Sequence, residues 1–159
     1  MKYQKYIATG LGSGYSSLAP GTAGAILGIL LLFFFNKLLS TANVDNVYIT
    51  ILDLVAIIFF TFLGVSSIKE VHKQWSHDDN KIVIDEVVGV WIAALFVPLH
   101  WKYYLAALIL FRFFDIVKPL FIKKFDQMHN DWSVMLDDIL AGVYSLITLQ
   151  LLIHFNLIT

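Results

Sequence analysis

The chain has 159 residues, no cysteine and a net charge of −1; 58% of its residues are hydrophobic and only 14% are charged. The lack of cysteine excludes disulfides, thiolate catalysis and cysteine-ligated metals, and the near-neutral charge gives no electrostatic reason to expect nucleic-acid binding. So apolar a composition predicts a polytopic, all-α membrane bundle that forms a single domain over residues 1–159.

The first twenty residues are rich in glycine and serine, which predicts a re-entrant or interfacial segment, or a flexible entry loop. The glycines at positions 10, 12 and 14 alternate, but no strand–helix unit surrounds them, so they do not form a dinucleotide-binding fingerprint. Thr22, just after Pro20, is predicted to be the N-cap of the first long helix. The free backbone N–H groups at such a helix start favour a phosphate.

Five apolar runs predict about five membrane helices, at residues 22–39, 47–68, 82–98, 103–117 and 134–155. The last run would form about 33 Å of helix, enough to cross a bilayer. In the first run, Gly24 and Gly28 form a small-xxx-small pattern that permits close helix packing. Asp53 lies inside the second run without a partner motif, and we expect a structural or interfacial role for it.

The lysines predict the orientation of these helices. With the N-terminus in the cytoplasm, five spans place eight lysines inside and only Lys37 and Lys102 outside, as the positive-inside rule requires. The same orientation brings four polar features of four different helices to the cytoplasmic side. They are Gly21-Thr22, Asp85-Glu86, residues 112–118 and Asp137-Asp138.

The charged residues in or beside the apolar runs are the candidate functional residues, because a charge within a membrane is costly and usually faces a polar cavity. Arg112, Asp115 and Lys118 are spaced three apart, so they would share one face of a helix. Asp137 and Asp138 open the last run, where a helix N-terminus favours negative charge.

Asp85 and Glu86 open the third run in the same way. An isolated acidic pair would be explained by the helix dipole alone, but two further acidic sites favour a metal centre. Carboxylate oxygens suit Mg²⁺, which also bridges to substrate phosphates. The predicted metal ligands are Asp85, Glu86, Asp115, Asp137 and Asp138.

These residues predict phosphoryl chemistry, which depends on positioning and charge neutralisation. Arg112 and Lys118 supply positive charge for phosphate oxygens. The interfacial position selects a lipid whose phosphate lies at the cytoplasmic surface, and the attacking group, a water or a carboxylate, stays open. The predicted phosphate-binding set is Thr22, Lys81, Arg112 and Lys118, and the predicted catalytic set is Asp85, Glu86, Arg112, Asp115 and Asp138.

The sequence resembles the phosphatidylglycerophosphatase A family. The resemblance rests on four motifs in order: ATG, GSG and APGTAG within 8–24, HD and IVIDEVVG within 77–89, FRFFDIVKP at 111–119 and MLDDILAG at 135–142. It departs after Pro119, where the family often continues with Pro-Ile and this chain has Leu120-Phe121. The resemblance implies a Mg²⁺-dependent phosphatase of the bacterial inner membrane that converts phosphatidylglycerophosphate to phosphatidylglycerol and phosphate, towards cardiolipin.

Other classes of protein explain fewer of these features. A small ion- or proton-coupled transporter is the main alternative, but transporters favour midplane sites and internal repeats, and these charges cluster at one face. A subunit whose charge pairs merely join helices would explain Arg112 with Asp115 but not the other acids. A CDP-alcohol phosphotransferase would carry an Asp-Gly…Ala-Arg…Gly…Asp…Asp pattern that the sequence lacks. The oligomeric state stays open.

Overall fold

The computed structural model describes residues 2–76, 79–119, 121–126, 128 and 130–158. His77 and Asp78 of the second motif, and Leu120 after the third, lie outside the described residues. Every regular element among those described is helical. After α1 (Lys2–Ala8) and a 3₁₀ turn (Gly10–Tyr15) come α2 (Pro20–Thr41), α3 (Asn46–Val71), α4 (Ile84–Ala93), α5 (Trp101–Val117), α6 (Phe121–Asp126) and α7 (Asp131–His154).

Three of these helices are long and apolar enough to cross a membrane: α2, α3 and α7, with 22, 26 and 24 residues. They coincide with the first, second and fifth predicted runs, which confirms an all-helical protein of membrane type. Helices α4 and α5 occupy the third and fourth runs but have only 10 and 17 residues, or about 15 and 26 Å of helix. Five full spans are therefore not confirmed.

Helix α4 is the centre of the bundle. Nine of its ten residues are buried, because α2, α3, α5 and α7 all pack against it. Its apolar sequence therefore faces protein on every side, and its first turn carries the Asp85-Glu86 pair. The bundle thus holds this acidic pair in a fixed position.

Glycines bring the neighbouring backbones close to α4. A methyl group on Gly24 would lie 2.6 Å from Cβ of Val83, and the carbonyl of Gly28 accepts a hydrogen bond of 2.7 Å from Nε1 of Trp91. This confirms the packing role predicted for the two glycines of α2. On the opposite side, a methyl group on Gly142 of α7 would clash with the carbonyl oxygen of Gly89.

The N-terminal segment packs against the end of the bundle at which α4 begins. Helix α1 packs on α3, and the 3₁₀ turn packs on the start of α2. Gly10 and Gly12 have φ of 50° and 98°, the left-handed region that glycine adopts without strain. The N–H of Val83 donates to the carbonyl of Ala8 at 2.8 Å, which ties the segment to the residue before α4. The re-entrant geometry predicted for residues 1–20 is not confirmed.

Candidate active site

A cavity of about 390 Å³ lies where α2, α4 and α7 begin and α5 ends. The elements that form it are far apart in the sequence and meet because successive helices of the bundle run in alternating directions. The wall includes Gly21, Thr22, Asp85, Glu86, Arg112, Lys118 and Asp137. The structure thus brings together members of all four predicted polar features.

The start of α2 forms one side of this cavity. The helix begins at Pro20 with Ala19 as N-cap and no side-chain cap, so the N-cap predicted at Thr22 is wrong. Proline is favoured at the first helical position because its φ is already helical, which places Thr22 inside the first turn. The first α-helical hydrogen bond runs from the N–H of Ala23, so the N–H groups of Gly21 and Thr22 remain outside the helical ladder.

Three carboxylates form the acidic trio of the site: Asp85 and Glu86 from α4, and Asp138 from α7. Their oxygens lie within 4.8 Å of one another, and Asp85 and Asp138 are only 8% and 4% exposed. Oδ1 of Asp85 and Oε2 of Glu86 are buried without a hydrogen-bond partner in the described part of the chain. Like charges this close need compensation, and such a donor set fits a hard divalent cation.

Arg112 lies beside the acidic trio. Its Nη1 is 2.5 Å from Oδ2 of Asp115 and 4.0 Å from Oε1 of Glu86, so one guanidinium is shared by two acids. A methyl group on Gly21 would lie 3.2 Å from this Nη1 and would clash with Oε1 of Glu86. Glycine therefore allows the start of α2 to approach the ion pair.

The position of Lys118 is determined by the way α5 ends, not by a helical face shared with Arg112 and Asp115. The helix stops at Val117, and Lys118 has a left-handed backbone with φ of 45°. The shared helical face predicted for residues 112, 115 and 118 therefore holds for Arg112 and Asp115 and is wrong for Lys118. Its Nζ instead lies 2.7 Å from Oδ2 of Asp137.

Helix α7 begins earlier than predicted, which changes the position of its two aspartates. Asn130 caps the helix through a capping box with Ser133, so the first turn starts at Asp131. Asp137 and Asp138 consequently lie beyond the first turn, outside the helix start where they were predicted. Asp138 joins the acidic trio, whereas Asp137 contacts Lys118.

Lys81 does not line the main cavity. It lines a neighbouring cavity of about 480 Å³ that shares Pro20, Asp79 and Asn80 with the first. Its Nζ is 3.2 Å from Oδ2 of Asp79 and 5.3 Å from the ring centre of Trp75. The metal, catalytic and phosphate-binding roles assigned to all these side chains stay predictions.

Several residues at this end of the bundle were not singled out from the sequence. Asp79, Asn80 and Ser133 line the main cavity. His72 is the C-cap of α3, and its Nδ1 lies 2.6 Å from Oδ1 of Asp131. That pair joins the end of α3 to the start of α7, and no local sequence pattern predicts a contact over such a separation.

A bundle of membrane-length helices with an acidic and basic cavity at one end defines a membrane protein with a charged, partly enclosed site. A profile of the phosphatidylglycerophosphatase A family matches residues 6–153. The chain belongs to the phosphatidylglycerophosphatase A family, and it is a phosphatase.

Individual relatives are similar to the chain over most of its length, and two of those described here carry the family's name. Phosphatidylglycerophosphatase A of Haemophilus influenzae is 38% identical over 152 residues, which cover 89% of this chain and 83% of the relative. The protein of that name from Escherichia coli is 33% identical over 141 residues, covering 87% and 77%. A Bacteroides thetaiotaomicron protein provisionally named phosphatidylinositol-3-phosphatase is 43% identical over 150 residues, covering 89% and 87%. No solved structure matches the chain.

Proposed function

We propose that the protein hydrolyses phosphatidylglycerophosphate to phosphatidylglycerol and phosphate. The observation that carries this proposal is the cavity at the start of α2, whose wall carries Arg112 and Lys118 together with Asp85 and Glu86, two members of the acidic trio. Family membership and the names of two relatives support the lipid substrate. The phospholipid would be taken from the membrane that surrounds the bundle.

Mg²⁺ is the proposed cofactor. Asp85, Glu86 and Asp138 would hold it, with Asp115 and Asp137 close by. The charge balance supports this, because Arg112 is shared between Asp115 and Glu86 and cannot compensate all of the trio. When bound, Mg²⁺ would supply positive charge to the phosphate oxygens during P–O cleavage.

The cationic groups bind the phosphate. Arg112 presents a planar fork and Lys118 a point charge, while the hydroxyl of Thr22 and the N–H groups at the start of α2 donate to further oxygens. In the overall hydrolysis, the oxygen of a water forms the new bond to phosphorus. The bond between phosphorus and the glycerol oxygen breaks, a carboxylate of the site accepts a proton from the attacking water, and the same proton is then returned to the leaving glycerol oxygen.

The site is proposed to face the cytoplasm of a bacterial inner membrane. Lysines are concentrated at the end of the bundle that carries the cavity, whereas Lys37 and Lys102 lie near the end of α2 and the start of α5. The positive-inside rule then places the N-terminus and the site inside. In this arrangement α4 and α5 form a short apolar hairpin that completes five passes within one domain.

Phosphate release from phosphatidylglycerophosphate in detergent micelles tests the proposal. We expect release that requires Mg²⁺ and stops with a chelator. Soluble glycerol 3-phosphate should be a poor substrate, because it lacks the acyl chains that deliver the phosphate to the site. Equal turnover of the soluble ester, or undiminished turnover without divalent metal, would contradict the proposal.

Phosphatidylinositol 3-phosphate is the second candidate substrate. It is favoured by the Bacteroides relative, whose name refers to that lipid and whose identity to this chain is 43%. Both lipids carry a phosphomonoester on a polyol head group, so the charges of the cavity suit either. Comparison of kcat/KM for the two lipids decides between them, and a preference for the inositol lipid would replace the first substrate.

A further inference from the structure

A second polar cluster lies between α2, α3 and α5, away from the active site. Nδ2 of Asn36 donates to Oδ2 of Asp53 at 2.9 Å and to the hydroxyl oxygen of Tyr104 at 3.2 Å. Asn36 follows Thr22 on the same helix by about 21 Å of axial rise. The cluster is therefore separate from the acidic trio.

Two oxygen atoms of this cluster are hydrogen-bond acceptors without a donor among the described residues. Asp53 and Asn36 are only 7% and 5% exposed. Oδ1 of each is buried and has no hydrogen-bond partner within the described ranges. A buried acceptor without a donor is destabilising, more so when it belongs to a carboxylate. The pair therefore requires a donor or a cation from outside the cluster.

A cavity of about 320 Å³ adjoins these side chains, with Asn36, Asp53 and Tyr104 in its wall. That volume is far larger than a single water needs. Ala94, the C-cap of α4, also lines the cavity. The carbonyl groups at a helix C-terminus carry partial negative charge, so the backbone adds to the attraction for a cation.

We propose that this cavity binds a small monovalent cation, with the carboxylate of Asp53 and the amide oxygen of Asn36 as its ligands. The two acceptor oxygens without donors, the carboxylate charge and the helix C-terminus together favour a bound cation over an anion or an apolar molecule. Asp53 is the one acidic side chain among the residues that line the cavity, which favours a single charge over a divalent ion. An alkali metal ion and the ammonium group of a lipid head group present the same chemistry.

Thermal unfolding of the purified protein in neutral detergent tests the site. Chloride salts of sodium, potassium, ethanolammonium and the bulky N-methylglucammonium are compared at equal ionic strength. A cation that binds the folded state raises Tm, by about 3 to 6 °C at ten times its dissociation constant. A rise with sodium or potassium identifies an alkali ion, and a rise with ethanolammonium alone identifies an ammonium head group.

Variants separate this cavity from the active site. Asp53→Asn keeps the shape of the side chain and should abolish the cation-specific rise. Asp138→Asn removes a charge from the acidic trio and should retain that rise. Equal Tm in all four salts, or an undiminished rise in Asp53→Asn, would overturn the proposal. If Asp53→Asn does not fold, calorimetric titration of the wild type and of Asn36→Leu replaces it, and binding that survives in Asn36→Leu would overturn the proposal.

Discussion

Arg112→Lys keeps the positive charge of the active site but removes its planar fork. In the structure, Nη1 of Arg112 holds Asp115 at 2.5 Å and lies 4.0 Å from Glu86, with the side chain 20% exposed. The other guanidinium nitrogens are the donors that would reach a phosphate. A lysine ammonium is a compact point charge, so it cannot keep the contact to Asp115 and grip two phosphate oxygens in the same geometry.

The expected loss follows from the number of contacts given up. A hydrogen bond between charged groups contributes about 1.5–3 kcal/mol, and about 1.4 kcal/mol corresponds to a tenfold change in rate. Losing one such bond to the phosphate should therefore lower kcat/KM by about 10- to 150-fold. Because Arg112 is largely shielded from water, we expect a value in the upper part of that range.

The assay is the initial rate of phosphate release from phosphatidylglycerophosphate in detergent micelles. Lys73→Arg is the matched control, because Lys73 is 60% exposed and pairs with Glu70 outside the cavity; its kcat/KM should stay within about twofold of wild type, as expected for an exposed pair. Tm in the same detergent shows that the loss in Arg112→Lys is not due to unfolding. A folded Arg112→Lys with kcat/KM within twofold of wild type would refute the argument.

Three further predictions follow from the same geometry. Asp85→Asn and Asp138→Asn should each lower kcat by at least about 10²-fold, the size typical of losing a charge-stabilising group, in proteins whose Tm shows that they fold; full activity of both would remove the metal site. Gly89→Ala should lower the free energy of unfolding by about 1–3 kcal/mol, measured as a fall in Tm, because its methyl group would lie 2.8 Å from the carbonyl oxygen of Asp138; an unchanged Tm would contradict the tight packing of α4 on α7. Since the chain has no cysteine, Lys73→Cys should resist a membrane-impermeant thiol reagent in intact cells and Ala42→Cys should react, and the reverse labelling would invert the proposed orientation.

Helix positions were predictable where an apolar run faces lipid. The predicted ends of the first, second and fifth runs lie within three residues of α2, α3 and α7. The third run was predicted to end at residue 98, whereas α4 ends at Ala93. Hydropathy does not distinguish a helix surrounded by protein from one surrounded by lipid, because both are apolar on all faces. The N-cap was wrongly predicted at Thr22 because Pro20 already occupies the first position of the helix.

The convergence of the four polar features could also be anticipated, since it depends only on the alternation of helix direction. The pairing of individual side chains inside the site could not be anticipated from the sequence. Lys118 meets Asp137 because α5 ends in a left-handed residue, which no local pattern required. The structural or interfacial role expected for Asp53 stays a prediction. Its partner Asn36 could not be predicted, because it lies on another helix and side chains that meet across a bundle leave no periodic signal along the chain.

The central position of α4 has a consequence for how the enzyme is made. At about 15 Å, this helix covers only half of a hydrocarbon layer about 30 Å thick, so it cannot be held in a bilayer as an independent span. Its backbone contact with α7, Gly89 against Gly142, can form only after the last long helix has left the ribosome. Asp138 arrives on that same helix. Under the proposed function, a nascent chain that lacks α7 therefore has an incomplete acidic trio, and activity is acquired only at the end of synthesis.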